Sequence, residues 1–501
     1  MTTHAGRTGW LGAWLQIWLS VAAIALLASV ASGQGSVRPE GAPTRAIVID
    51  GRFDDWPADR AAIADADYLY LRFSPGSDGA YAIQAAPEQV VLHLDLDGNA
   101  ATGRALEGVE GASGLGIDLE IRFSPRVAGR NGTGVLLRAF GAQGGTTSIS
   151  HADVDFMAAP TFASPWYEAR LSRHVADVEP LAHLESALSR SGTFRGIVTV
   201  ESASGSLVGV SEAFSGLMPA RSATRAVWNG PLPPAPAGGL RVVSYNVEHA
   251  APMTNPAPFA NVLGSLAPDV VVVQEWTHTD ESEIRGWFNA MLPVQGPWHV
   301  ARNSTWGVAV VSRFPLENLT VQPVRTSQGR TVRFVAARMQ TPMGPAVIGT
   351  VHLKCCGGAG TSEDVTRIAE ATAVRDFIAA QVADEPGTLR FIAGDVNLVG
   401  TRTPLEVMAQ GLDAGGADLA AAHALVFGDS AAFTWREARS TFAPGRLDWA
   451  LYSPFHARLV RAFAVDTTRF GPRTLANAGL EAGDTDASDH LPLVVDLTPW
   501  E

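Results

Sequence analysis

A series of short segments in the second half of the chain carries residue types that can hold a hard metal ion or move a proton. They are Ser244-Tyr245-Asn246-Val247-Glu248, Val273-Gln274-Glu275, His352-Leu353, Gly394-Asp395-Val396-Asn397, Arg446-Leu447-Asp448-Trp449 and Ser488-Asp489-His490-Leu491-Pro492. Carboxylate and amide oxygens suit Mg²⁺, Mn²⁺ or Ca²⁺ and not a soft metal. Histidine beside a carboxylate can hold or pass a proton near neutral pH. These are the requirements of phosphoryl transfer to water: charge neutralised on the phosphate oxygens, an oriented nucleophile, and a proton for the departing alkoxide. The chain has no P-loop, Gly-x-Ser-x-Gly elbow or His-Glu-x-x-His helix.

The elements that must position these residues are legible in the apolar runs. Arg241 to Tyr245 ends at Asn246, Val270 to Gln274 at Glu275, Ala346 to Val351 at His352, and Leu389 to Gly394 at Asp395, while Asp448 and Asp489-His490 precede runs. Helical patterns such as Thr361–Val382 separate them. Polar residues at the ends of many buried strands collect along one rim of a sheet, where α/β folds place their sites. The spacing predicts a shared cleft.

Together with Gly307-Val308-Ala309-Val310-Val311-Ser312-Arg313-Phe314-Pro315, these segments, in this order, resemble the endonuclease/exonuclease/phosphatase superfamily over residues 240–501. The resemblance implies a four-layer α/β sandwich of the deoxyribonuclease type that hydrolyses phosphate esters with a divalent metal, Mg²⁺ or else Mn²⁺ or Ca²⁺. It implies Glu275 as principal metal ligand, with Asn246 and Asp489 beside it and Glu248 as a further ligand or support. Asp395 is then the group that orients and deprotonates water, and Asn397 a donor to phosphate. His490 contacts the scissile phosphate, held by Asp448 or Asp489, and His352 gives a proton to the leaving group. Two departures stand out. Arg367 and Glu370 occur where many relatives have Arg-x-x-Gln, and Lys354-Cys355-Cys356-Gly357-Gly358 is not a family-wide element. Lys354 is placed to reach a substrate phosphate or a surface acid. The cysteine pair is read either as a strained vicinal disulfide, as packed thiols, or as a soft-metal site.

The first half follows a different grammar. Residues 46–225 alternate short apolar runs with Gly, Ser, Asp and Pro, predicting an all-β antiparallel sandwich. Val48-Ile49-Asp50-Gly51-Arg52-Phe53-Asp54-Asp55-Trp56 and Leu94-Asp95-Leu96-Asp97-Gly98-Asn99 are similar to secreted carbohydrate-binding family 9 or DOMON-like modules. Such a module implies a polysaccharide or surface ligand. Asp95, Asp97 and Asn99 offer oxygens for a structural Ca²⁺, although Gly98 and Leu106 break an EF-hand pattern; an Asx-rich hairpin is the metal-free alternative. Trp56 is expected in the core. Residues 226–239, rich in Pro and Gly, predict an extended, solvated linker.

Length and composition fit this division. The 501 residues, with 17% charged, 50 Gly and 31 Pro, describe a loop-rich globular chain of several domains and exclude a disordered or coiled-coil one. Net charge is −13, with 17 basic against 23 acidic residues in 1–239 and 20 against 27 in 240–501. Neither half is a basic nucleic-acid footprint, yet an enzyme can meet phosphate through a metal. Two cysteines make no disulfide framework. Arg7, an apolar run from Trp10 to Val30 and small residues to Gly33 predict a signal peptide over 1–33, or an uncleaved anchor, and so a secreted or tethered monomer. The leading expectation is a phosphodiesterase or nuclease acting on extracellular nucleic acid. A sphingomyelinase-like phospholipid diesterase and a phosphatase of inositol phosphates or similar metabolites are the alternatives, and an inactive binding protein a third.

Overall fold

The computed structural model describes residues 47–127, 133–175, 181–293, 296–303 and 307–500. The expected signal or anchor segment and the lead-in to Arg45 lie outside them. All the described residues fall in one compact unit, Pro39–Glu501, and among them no helix is long and apolar enough to cross a membrane.

Two antiparallel sheets make the first half. Ala62–Ala64, Tyr68–Phe73, Tyr167–Ser172 and Met157–Ala159 form one. Leu207–Val210, Gly192–Glu201, Gln89–Asp95, Leu119–Phe123, Val135–Phe140 and Thr146–Ile149 form the other, with Phe214–Met218 also paired to Gly192–Glu201. Alternate residues point inward from each strand, so Leu69, Leu71 and Leu171 of the first sheet meet Leu92, Ile121 and Phe123 of the second in one core.

The second half is four layers deep. A seven-stranded sheet runs His299–Arg302, Ala309–Ser312, Val270–Gln274, Leu240–Asn246, Leu493–Thr498, Arg458–Ala464 and Leu425–Val426. A six-stranded sheet runs Leu316–Asn318, Phe334–Thr341, Gly344–His352, Leu389–Asp395, Asp448–Tyr452 and Ala420–Ala421. Val270 to Val273 show why both faces of such a strand must be apolar. Val270 and Val272 pack between the sheets with Ile348 and Phe391, while Val271 and Val273 pack outward with Phe259, Val262 and Phe288 of the helices Pro256–Leu266 and Glu281–Met291. Helices Ser362–Gln381 and Thr403–Ala409 cover the other sheet through Val374, Ile378 and Met408. Gln274 crosses between the sheets, donating to Thr350 Oγ1 at 2.8 Å just below the rim.

The two halves are joined more tightly than a solvated linker predicts. Trp228 is buried and pairs with Phe470 in an isolated bridge, and the Arg241 guanidinium donates to the carbonyls of Pro233 and Pro234 at 3.0 Å. Carbonyls in a proline-rich stretch have no strand partner, so a buried arginine fastens them. Further contacts cross directly. Arg170, fully buried in the sandwich, makes a bidentate pair with Asp429 at 2.5 and 2.7 Å, and Arg469 pairs with Asp155 at 2.6 and 2.8 Å. Arg170→Ala removes the bidentate partner of buried Asp429 and leaves it, among the described residues, only the Arg469 ion pair at 3.5 Å, so an expected loss of about 2–4 kcal/mol should appear as a lower Tm in calorimetry of the whole chain. A change under ~1 kcal/mol would mean that this pair does not join the halves.

Candidate active site

Each catalytic candidate is placed by a strand end, as the runs predict. Asn246 closes Leu240–Asn246, His352 closes Gly344–His352, Asp395 closes Leu389–Asp395, and Asp448 opens Asp448–Tyr452. His352 and Asp395 are register partners, as are Asp395 and Asp448. The chain then leaves its strands by left-handed turns at Glu275, with φ 61°, and Asn397, with φ 50°. Non-glycine residues rarely adopt that conformation, and here it swings both side chains back over the rim.

The side chains converge. Asn246 Nδ2 lies 3.3 Å from both Glu275 Oε1 and Asp395 Oδ2. Asn397 Nδ2 donates to Asp395 Oδ2 at 2.9 Å, and its backbone N–H to Asp395 Oδ1 at 2.9 Å. His490 Nδ1 stands 2.7 Å from Asp448 Oδ2, and its Nε2 is 3.8 Å from Asp395 Oδ2. Ser488 Oγ bonds the Asn246 carbonyl at 2.8 Å and accepts the His490 N–H at 3.1 Å, fixing the turn. Glu248 Oε2 accepts the Asp489 N–H at 3.2 Å, and Asp489 Oδ2 accepts Trp435 Nε1–H at 2.8 Å.

Burial sets the charges. It pushes the Asp395 carboxyl up to about 7, against the pull of His490. Burial alone would make His490 neutral, but Asp448 and then Asp395 outweigh it and push the imidazole up to about 10. His490 is therefore an imidazolium at neutral pH, poised beside a carboxylate whose proton is labile there. His352 behaves in the opposite way. Burial first, then Arg333, hold it well below the usual histidine range. Arg333 donates to its Nδ1 at 3.0 Å, which leaves the proton on Nε2, 3.4 Å from Asp395 Oδ2 and 3.8 Å from Glu275 Oε1.

Some expectations hold here and others change. His352 lies at the cleft as expected, held in the neutral form by burial and then by Arg333, with its Nε2–H facing Asp395 and Glu275. Asn246 lies between Glu275 and Asp395, with its Nδ2 3.3 Å from each and its Oδ1 3.2 Å from the Glu248 N–H, at the centre of the expected ligand cluster. Lys354 does not line the cleft. Its Nζ lies 3.6 Å from Cys355 Sγ and its N–H bonds Glu370 at 2.8 Å. Arg367 and Glu370 hold that loop, Arg367 through the carbonyls of Lys354 and Cys356 at 3.0 and 2.6 Å. The two cysteines carry no disulfide bond in this structure, their sulfurs lying 2.8 Å apart beside the cleft, and burial pushes the Cys356 thiol up to about 11.

The expected Ca²⁺ set in the sandwich is also dispersed. Asp95 turns inward to Arg195 at 2.6 Å, and Asn99 Oδ1 accepts the Ala101 N–H at 3.1 Å within the turn. Asp97 instead meets Asp118 and His183, whose ligand atoms lie within 4.8 Å of one another. Alternation ends where the strand Gln89–Asp95 ends, so sequence spacing past Asp95 no longer sets direction. His183 already bonds Asp118 at 2.7 Å.

The catalytic half matches a known family model, that of the Endonuclease/Exonuclease/phosphatase family, over residues 243–490. Those residues are a domain of that family. The protein is accordingly a metal-dependent phosphoric ester hydrolase. No curated protein matches the chain. Among solved structures, the 3′ phosphatase NExo from Neisseria bound to a product DNA hairpin is 18% identical, covering 52% of this chain and 100% of its own, with TM-score 0.37. Sphingomyelinase C from Streptomyces griseocarneus is 17% identical, covering 51% and 98%, with TM-score 0.35. A beta toxin variant from Staphylococcus aureus with bound magnesium ions is 17% identical, covering 52% and 99%, with TM-score 0.36.

The residues of this endonuclease/exonuclease/phosphatase domain fit a divalent cation. Glu275 and Asp395 both accept from Asn246, yet among the described residues neither carboxylate has an arginine or lysine ion pair, and the ionisable side chains within ion-pair distance are histidines. Glu275 is part-exposed to the cleft, a hard oxygen ligand with room for water, which is how Mg²⁺ is commonly held.

Proposed function

We propose that this domain is a phosphodiesterase using water as nucleophile, with Glu275 holding a divalent ion, most suitably Mg²⁺. The observation that carries this reading is the convergence on one rim of Asp395, held by Asn397 at 2.9 Å, and His490, whose Nδ1 is held by Asp448 at 2.7 Å and whose Nε2 stands 3.8 Å from Asp395. A bound divalent ion supplies charge neutralisation on the phosphate and the departing oxygen. Asp395 accepts the proton of the attacking water, oriented with help from Asn397. His490 Nε2–H donates to a phosphate oxygen as charge builds on it. Water adds to phosphorus as its proton passes to Asp395, the ester P–O bond breaks, the released alkoxide takes a proton from solvent water, and Asp395 returns its own to solvent, leaving a monoester and an alcohol. A diester suits this site better than a monoester, because it carries one negative charge and, among the described residues, no lysine or arginine lines the cleft to meet a second one. The apolar segment from Trp10 to Val30 supports action outside the cytoplasm.

The test is hydrolysis of bis-p-nitrophenyl phosphate with Mg²⁺, Mn²⁺ or Ca²⁺ and with chelator. Activity should vanish with chelator, and Glu275→Gln should raise the Mg²⁺ concentration for half-maximal rate by at least ~10²-fold, since even outer-shell changes cost up to that much. Activity that survives chelation would sink the reading.

A further inference from the structure

The cleft has a wall that the catalytic domain does not build. Ala82, Gln84, Ala85 and Thr161, all from the sandwich, line it opposite Glu275, His352, Asp395 and His490. The wall is fastened in place. Gln84 Oε1 accepts the Ala443 N–H at 2.8 Å, its carbonyl accepts the Gly134 N–H at 3.1 Å, and Thr161 Oγ1 donates to the Arg446 carbonyl at 3.1 Å. On the far side the sandwich reaches the loop that follows His352. A Cβ placed on Gly358 would stand 3.3 Å from the Ala85 Cβ.

The chemistry of the cleft is the second observation. Its volume is about 630 Å³, within the range of small-molecule sites, and none of its lining residues is lysine or arginine. Beyond the catalytic groups and the polar Gln84 and Thr161, its side chains are mostly apolar or weakly polar, among them Ala82, Ala85, Val399, Phe442 and the Cys355–Cys356 pair. A polynucleotide brings a charge with every residue, and proteins that hold one neutralise several phosphates with lysine and arginine. Here one phosphate can be met by His490 and a metal, and among the described residues that line the cleft no lysine or arginine stands ready for a second. An apolar substituent, in contrast, finds Phe442 and the two alanines.

We propose that the substrate is a low-molecular-weight phosphodiester bearing an apolar group, which lies between Phe442 and the Ala82–Ala85 wall, and that the sandwich determines specificity as part of the active site. This rests on the phosphodiesterase reading above and narrows it away from nucleic acid.

The experiment uses the full chain with Mg²⁺ and compares kcat/KM for bis-p-nitrophenyl phosphate, methyl p-nitrophenyl phosphate, single-stranded DNA and plasmid DNA. The diaryl ester is expected to exceed the methyl ester by about 10-fold, the scale of a small apolar group in a fitted pocket, and to exceed either DNA, per phosphodiester, by at least ~10²-fold. Ala85→Trp, which fills the wall, and Phe442→Ala, at an exposed position, should each cut the diaryl-to-methyl ratio by roughly 10-fold, with thermal unfolding recorded for both. DNA cleaved as efficiently as the diaryl ester, or a ratio unmoved by both variants, would overturn the proposal while leaving the phosphodiesterase reading intact. Hydrolysis of no diester with any of these metals removes both.

Discussion

His490→Ala is expected to lower kcat by about 10³-fold, close to 4 kcal/mol of transition-state stabilisation, with little change in Mg²⁺ affinity. The size follows from the state of the imidazole. Its Nδ1 is engaged by Asp448 at 2.7 Å, and its pKa is pushed up to about 10, so Nε2–H is a charged donor inside a buried site. The partner predicts the sign of a second effect. With Asp448→Asn the carboxylate charge is lost and burial again favours the neutral ring, so the alkaline limb of kcat/KM moves to lower pH. In the parent protein that limb lies where His490 loses its proton as pH rises through about 10. Equal losses at all pH values in Asp448→Asn would mean that the aspartate only shapes the site. Isothermal titration with Mg²⁺ separates either result from loss of the metal.

Asp395→Asn is expected to cost about 10³- to 10⁴-fold in kcat, since it removes the group that takes the proton from water. The carboxylate must be ionised to do so. Burial raises its pKa to about 7 in the metal-free protein, so the parent kcat/KM should rise with pH through the titration of this group, and a bound cation should move that limb to lower pH. In Asp395→Asn the acidic limb should disappear along with most of the rate. Retention of the same limb in the variant would assign it to another residue. The amide also disturbs the bonds from Asn246 and Asn397, so circular dichroism and Tm are needed beside the rate to show that the fold is kept.

Much of the catalytic centre is readable from local pattern. Asn246, Glu275, His352, Asp395 and Asp448 stand next to apolar runs, and polar residues without a buried partner of opposite charge are favoured at strand ends, where they reach the rim and water. The helix expected at Thr361–Val382 is observed at Ser362–Gln381, with Thr361 accepting the Asp364 N–H as its cap. Trp56 is in the core as expected, its Nε1–H bonded to Glu168 at 2.8 Å. Arg333 had no such signal. It lies 19 residues before His352 and reaches it only because Phe334–Thr341 and Gly344–His352 pair as antiparallel neighbours. Trp435, which holds Asp489, sits in a loop with no period at all.

By itself the sequence determined the chemistry of the rim: hard oxygen donors, two histidines and a strand grammar that brings them to one edge. These are properties of residue type and of spacing along a strand. The tertiary structure alone decided which histidine is charged, because that depends on whether an arginine or an aspartate from a distant segment packs against the ring. It alone broke up the expected Asp95, Asp97 and Asn99 site, since side-chain direction is set by spacing only while the strand lasts. It also decided that Gln84, Ala85 and Thr161 face the catalytic residues. Contact between two halves of a chain rests on complementary surfaces and long-range hydrogen bonds, and neither leaves a periodic trace in the order of the amino acids.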